Sequence, residues 1–428
     1  MIVYLICYAI SFLLARQHFD MLSGLFLVLS AIGLYVREYR REKNLVALRG
    51  LFCLSFVGGQ GLSCLKLSRL QTDWSAWTWL CFLLAVVGFW VAYEFTGKCV
   101  REREMREPKT FASARRILVS MIAITGLSVA AFAFEAVKLG FIPMFSYGVP
   151  HAYSTFHVSG VHYFTVSCVL VPSLFVLWLS ALRGHFPKKE WALAIICIVV
   201  SVMIPLLCVS RFQLILAVGM AVFTFIAQKG TIRARYLVGI VCLMIPAYLG
   251  LTVLRSHSVS YLNGIFEMKN AATPIFVTQP YMYIANNYDN FNCLVEQLPA
   301  HTHGLRLLFP VWALSGLKFL RPELVSFPIY VTKEELTTVT LIYDAYYDFG
   351  AIGVLGFCAV LGAACALLTK WKSRSKNPVV IVIYAQIAMY MALAFFTTWF
   401  SNPTTWFYLA MTGAGAAYVG VFSKKGVK

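Results

Sequence analysis

Hydrophobic residues along this chain gather into long, dense runs separated by short polar connections. The runs cover about 2–15, 20–36, 50–67, 75–95, 116–138, 160–182, 190–209, 212–228, 236–254, 350–369, 379–400 and 404–422. Most approach the roughly 20 residues that a helix needs to cross a bilayer. The pattern predicts an all-α polytopic membrane protein of about 12 transmembrane helices, in one membrane domain covering residues 1–428. One interval breaks the rhythm. Residues 255–349 are too polar for lipid, yet carry Trp, Phe, Tyr, Leu and Pro at core density. Among them are His257, Glu267, Asp289, Glu296, His301, His303, Arg306, Asp344 and Asp348. Such a stretch is expected to fold over the bundle as a large, partly helical extracytoplasmic loop whose polar groups face a cavity. A smaller loop on the same side spans residues 140–159.

Charge fixes the orientation. Only 13% of residues are charged and 60% are apolar, against about 25% charged in an ordinary soluble protein. The net charge of +18 could suggest a nucleic-acid partner, but 25 of the 36 Lys and Arg fall in alternate short connections. That is the distribution of a membrane topology with both termini cytoplasmic, and no nucleic-acid partner is expected. The twelve Cys are dispersed without a CxxC pair, so neither a disulfide framework nor a zinc site is read. No cleavable signal peptide, Walker-type GxxxxGK or DxD metal motif is found, and no cofactor is expected. Histidines sort to the outer side, with His185 alone among the basic loops.

Candidate chemistry then follows the chain. The outer loop GFIPMFSYGVPHAYSTFHVSGVHYF, residues 140–164, interleaves aromatics with His151, His157 and His162. Aromatic faces with a few polar groups suit sugar rings, although an interfacial aromatic belt has the same composition. CVSRFQ, residues 208–213, is the tip of a tight helical hairpin that holds Arg211 at the bilayer edge. An arginine there is either paired with an anion, for which a pyrophosphate is well suited, or snorkels to the headgroups. Arg255 closes the span 236–254 on the same side. QPYMYIANNYDNFNCLVEQLP, residues 279–299, has amphipathic helical spacing, with Pro280 at its start and Pro299 ending it. HTHGLRLLFP, residues 301–310, offers paired histidines without a third metal ligand. Asp344 and Asp348 lie four apart, on one face if helical, and otherwise serve as caps. Gly350, Gly353, Gly356 and Gly362 are expected to give the following span a small-residue face for close packing.

Four of these features together resemble the bacterial oligosaccharide repeat-unit polymerases, the Wzy-type O-antigen polymerases. They are the G-x-I-P-x-F loop, the S-R hairpin, the Asn- and Tyr-rich large loop and the Y-x-D-F-G-x-x-G entry to a late helix, over roughly residues 115–365. The resemblance implies a metal-independent, GT-C-like membrane glycosyltransferase in the bacterial inner membrane, facing the periplasm. It would join oligosaccharide repeat units carried on undecaprenyl pyrophosphate, with a Wzz-type chain-length co-polymerase as a plausible partner. By position, Arg211 and Arg255 match the family's outer-face arginines, and Tyr347, Asp348, Phe349 and Gly350 its late motif. The related O-antigen ligases, which transfer glycan to lipid A-core, carry Asn, Ser or Gln after a loop histidine. Here HTHGL has Thr, which favours polymerase. A polysaccharide or lipid transporter would show inverted repeats, and none is seen.

The chemistry expected is glycosyl transfer. Arg211, Arg255 and Arg306 are the pyrophosphate-binding candidates. His303, His301, Asp348 and Asp344 are the catalytic ones, from which a base for the acceptor hydroxyl would come. Tyr347, Tyr343, His157 and Tyr288 are the sugar-binding candidates.

Overall fold

The computed structural model describes residues 1–99, 111–146, 152–182, 184, 187–236, 238–240, 242, 259–270 and 272–421. Among them the chain is helical without a β-strand, and one isolated antiparallel bridge joins Ser68 to Met268. Seven described helices are long and apolar enough to cross a membrane: Asp20–Glu42, Ala76–Cys99, Ala114–Leu139, His162–Ala181, Lys188–Leu207, Arg211–Lys229 and Tyr343–Arg374. Ile2–Arg16 and Val380–Ala392 are apolar but shorter. The protein is an all-α polytopic membrane protein. Most of the expected span 236–254 lies outside the described residues.

Two expected spans are broken. Residues 50–67 form Leu48–Phe52, a π-helical turn Cys53–Val57 and Gly58–Ser63. The run 379–400 leaves helix after Ala392 and stays unwound to Asn402, apart from one 3-10 turn, Trp399–Ser401. Such a break near lipid needs partners for its peptide groups. They come from distant segments. Ala394 donates its N–H to Ser55 Oγ (3.0 Å) and accepts from Leu341 N–H (2.9 Å). Asn287 Nδ2 donates to the Phe395 carbonyl (2.8 Å).

The basic connections meet at one end of the bundle. Leu45 N–H bonds Gly230 O (3.0 Å), Lys372 Nζ bonds Ala227 O (3.4 Å) and Tyr384 hydroxyl bonds Val46 O (3.0 Å). Arg49, fully buried, donates to Glu38 (2.6 and 2.8 Å) and to Glu94, and stacks over Trp90 at 4.4 Å. The helices Ala76–Cys99 and Tyr343–Arg374 run parallel from the other end and touch through glycine. A Cβ on Gly362 would lie 2.2 Å from Phe89 O, and one on Gly88 would lie 2.9 Å from Leu355 O. Gly356 meets no neighbour, and Gly353 packs on Ala345 of its own helix, so the expected four-glycine face reduces to Gly362.

At the opposite end the helix Ile275–Gln297 lies against the bundle. Pro274 precedes it, and Pro280 sits inside it rather than at its start. Its run Asn286–Asn292 is buried throughout. Asn290 Nδ2 bonds the carbonyls of Leu336 (2.6 Å) and Thr338 (2.8 Å). Thr332 hydroxyl donates to Asn286 (3.0 Å), Thr338 hydroxyl to Asn287 (2.6 Å) and Thr78 hydroxyl to Asn292 (2.7 Å). Asp289 accepts from Ser63 (3.0 Å), Gln71 (3.2 Å) and Trp74 (2.8 Å). Each amide is used as an anchor.

Candidate active site

The site begins at a break in the helix Tyr343–Arg374. Gly350 has φ 62° and ψ −149°, a conformation nearly confined to glycine, and it separates the head 343–349 from the membrane-crossing remainder. Turned this way, the head presents Asp344, Tyr347 and Asp348 to residues 301–307. A side chain at Gly350 would also strike the His301 ring, 3.1 Å from Nε2.

The two aspartates do different things. Asp348 is fully buried and accepts from the Thr302 hydroxyl, the Arg306 N–H (3.2 Å) and the Leu307 N–H (2.8 Å). The turn it anchors is closed by His303 N–H to Asp348 O (3.1 Å) and carries two left-handed residues, His303 (φ 51°) and Gly304 (φ 103°). A carboxylate ringed by backbone donors is an organiser of the loop. Asp344 pairs instead with Arg306, Nε to Oδ1 2.6 Å. The guanidinium lies 4.5 Å from the Tyr347 ring centre and 5.7 Å from that of Tyr343. Burial opposes its charge, but Asp344 outweighs this and holds Arg306 above its usual range.

Arg306 and Asp344 line a cavity of about 370 Å³. Leu305, Phe309, Leu324, Val325, Phe327 and Ile329 line it too, with Thr397, Thr398, Ser401 and Asn402 of the unwound segment. The preceding part of that segment, Leu393, Phe395 and Phe396, lines an apolar groove of about 420 Å³, walled also by Phe212, Tyr283 and Ile284. Arg211 stands in it, only 7% exposed, at the first turn of Arg211–Lys229. The hairpin that delivers it passes through Val209 at φ 52°, a strained conformation for a β-branched residue.

The structure therefore gathers Arg306, Asp344, Asp348, Tyr343, Tyr347, His301 and His303 at one place, with Arg211 in the adjoining groove. Their positions differ. His301 and His303 are exposed and do not line the cavity, His301 Nδ1 lying 3.2 Å from Tyr347 O. Tyr343 is fully buried, its hydroxyl donating to Tyr330 O (3.0 Å). Tyr288 corrects the expectation of a sugar contact. It is fully buried, donates to Phe56 O (2.6 Å) and fills the space over Gly59, so it is core. His157 lies elsewhere, its ring 4.9 Å from that of His162, which bonds Glu135 (3.1 Å). Burial and the neighbouring His162 hold the His157 imidazole below its usual range. Arg255, His151 and His257 lie outside the described residues. Among the described residues no three His, Cys, Asp or Glu gather as metal ligands.

Sequence reasoning missed Thr397, Thr398, Ser401 and Asn402 because it carried a helix through residue 400. TTWFSNP at 397–403 is a legible signal in hindsight, since Asn-Pro marks a turn and Thr and Ser supply hydroxyls.

Residues 14–397 match the O-antigen polymerase family. No curated protein and no solved structure matches the chain.

Proposed function

Because the chain belongs to the O-antigen polymerase family, we propose that it joins undecaprenyl-pyrophosphate-linked repeat units by glycosyl transfer at the periplasmic face of a bacterial inner membrane. The observation that carries this reading is adjacency. An apolar groove headed by a buried arginine and a cavity of mixed lining that holds an Arg–Asp pair share one unwound segment. The groove suits an isoprenoid chain and Arg211 its diphosphate. The cavity suits saccharide, with hydroxyl side chains and an aromatic-backed guanidinium in its lining.

In the proposed step the acceptor hydroxyl oxygen bonds the donor's anomeric carbon while the bond from that carbon to the diphosphate breaks. Asp344, the carboxylate lining the cavity, takes the hydroxyl proton. The electron pair leaves on the diphosphate, whose charge Arg211 offsets. A preorganised donor of this kind is worth about 3–4 kcal/mol, near a thousandfold in rate. Arg306 positions Asp344 and the sugar. Asp348 acts one step back, by holding the turn from which Arg306 projects.

Purified protein in detergent, without a membrane gradient, is expected to lengthen a lipid-linked repeat unit. Arg211→Ala and Asp344→Asn are expected to lose this activity in protein that still purifies folded, with a lowered melting temperature because each removes a buried charge. Wild-type elongation by Arg211→Ala would remove its role. Transfer of glycan to lipid A-core in place of elongation would identify a ligase.

A further inference from the structure

A second cavity, of about 230 Å³, is built from elements that contribute nothing to the one at Arg306. It lies where the turn after Ile2–Arg16 meets the loop leading into Ala76–Cys99, at the same end of the bundle as the candidate site. Trp74 and Trp79 form one wall, their ring centres 5.4 Å apart. Both are nearly covered, so each offers only a strip of its ring. Trp74 is fixed in place, because its indole N–H donates to the buried Asp289 (2.8 Å).

Charges of both signs line the rest in alternation. Lys66 bridges Asp73 and Asp20, the latter at 3.1 Å. His18 Nδ1 lies 3.6 Å from the other Asp73 oxygen, and Arg16 completes the rim. A phosphate or anionic headgroup entering here would face two carboxylates, and an ammonium would face the cations. An apolar chain would strip water from all of them without replacing its hydrogen bonds. A neutral polyol meets none of these penalties. Its hydroxyls donate to carboxylates and accept from cations, while its C–H groups meet the uncovered strips of indole.

We propose that this cavity binds one sugar residue of the glycan, as a holding site apart from the reacting centre. The proposed polymerase reaction supplies only the identity of the saccharide; the cavity's preference for a neutral sugar rests on its own side chains. Such a site retains the glycan between transfers and so bears on how many transfers follow one another.

The test uses full-length protein in detergent and the repeat-unit oligosaccharide of the source strain, freed from its carrier by mild acid. Single-repeat and multi-repeat fragments are titrated while tryptophan fluorescence is followed. A saturable change is expected, weakened about tenfold or more in Asp73→Asn and in His18→Ala. Both side chains are mostly exposed, at 57% and 74%, so an unchanged melting temperature is expected in both variants. In elongation assays both start at the wild-type rate but yield shorter chains. Saturation by single repeats identifies the acceptor unit as ligand, and saturation by multi-repeat fragments alone identifies the growing chain. Absence of a saturable change, or equal affinity in the variants, overturns the proposal. A wild-type protein that binds the fragments yet elongates nothing removes the polymerase reading and leaves this site standing.

Discussion

Replacing Asp348 by Ala separates the carboxylate that shapes the candidate site from the one proposed to act in it. Asp348 accepts three hydrogen bonds, from the Thr302 hydroxyl and from the backbone N–H groups of Arg306 and Leu307. Bonds to a charged acceptor contribute ~1.5–3 kcal/mol each, so their loss weakens the docking of residues 301–307 by on the order of 5 kcal/mol. Two peptide contacts remain to hold the turn, Thr302 N–H to Tyr347 O (3.3 Å) and His303 N–H to Asp348 O (3.1 Å). They are worth about 1 kcal/mol apiece, too little to compensate. The membrane-crossing part of the helix keeps its glycine contacts with Ala76–Cys99, so the change should be local. Arg306, held then by the Asp344 ion pair and the Tyr347 ring, shifts within the cavity, and a misplacement of about 1 Å at a reacting centre costs about a hundredfold in rate. Hydrogen exchange followed by mass spectrometry is expected to show faster exchange at residues 302–308 in Asp348→Ala, with elongation lost. Asp344→Asn should lose elongation with exchange at those amides unchanged. Wild-type exchange and full elongation in Asp348→Ala would refute the account of that carboxylate as an organiser.

Gly350→Ala is expected to lower the melting temperature and elongation together. The backbone at φ 62°, ψ −149° costs ~1–3 kcal/mol for a residue with a side chain, and adding His301→Ala should restore little. Arg49→Met leaves Glu38 buried without its cation, a loss of about 3–5 kcal/mol readable in thermal unfolding, and Glu38→Gln in the same chain should recover most of it. Burial pushes Asp289 up to about 7, above the ~3.9 of an unfolded aspartate. Between those values the folded protein holds a proton that the unfolded chain has released. Its stabilising contribution is complete below the lower value and is lost as pH rises through the upper one. Asp289→Asn should flatten the melting temperature across that window, and an unchanged slope would contradict the assignment.

Signals that act through composition were legible before any coordinates. Lipid as solvent follows from apolar runs, and the meeting of residues 45, 227, 230 and 372 at one end follows from the placement of Lys and Arg. The aspartates at 344 and 348 could be put on one face by spacing alone. Their division of labour could not, because Asp348 is defined by the N–H groups of Arg306 and Leu307, about 40 residues away. The end of helix at Ala392 was hidden for the same reason. Its peptide groups are satisfied by Ser55, Asn287 and Leu341, and no local pattern announces such partners. Tyr288 was misread because an aromatic in a polar helix suggests a ligand face, whereas the asparagines around it turn inward to fasten the segment.

That fastening bears on how the reactants arrive. With the Asn286–Asn292 ladder tied to Thr78, Thr332, Leu336, Thr338 and Phe395, this helix cannot swing like a hinged door without breaking the whole set at once. On the proposed reading the reactants come sideways, through the flank where Phe212, Ile215 and Ile284 wall the apolar groove. A carrier lipid diffusing in the leaflet would slide in tail and head together. On that proposal the bilayer itself is the corridor, and the fastened helix stays in place.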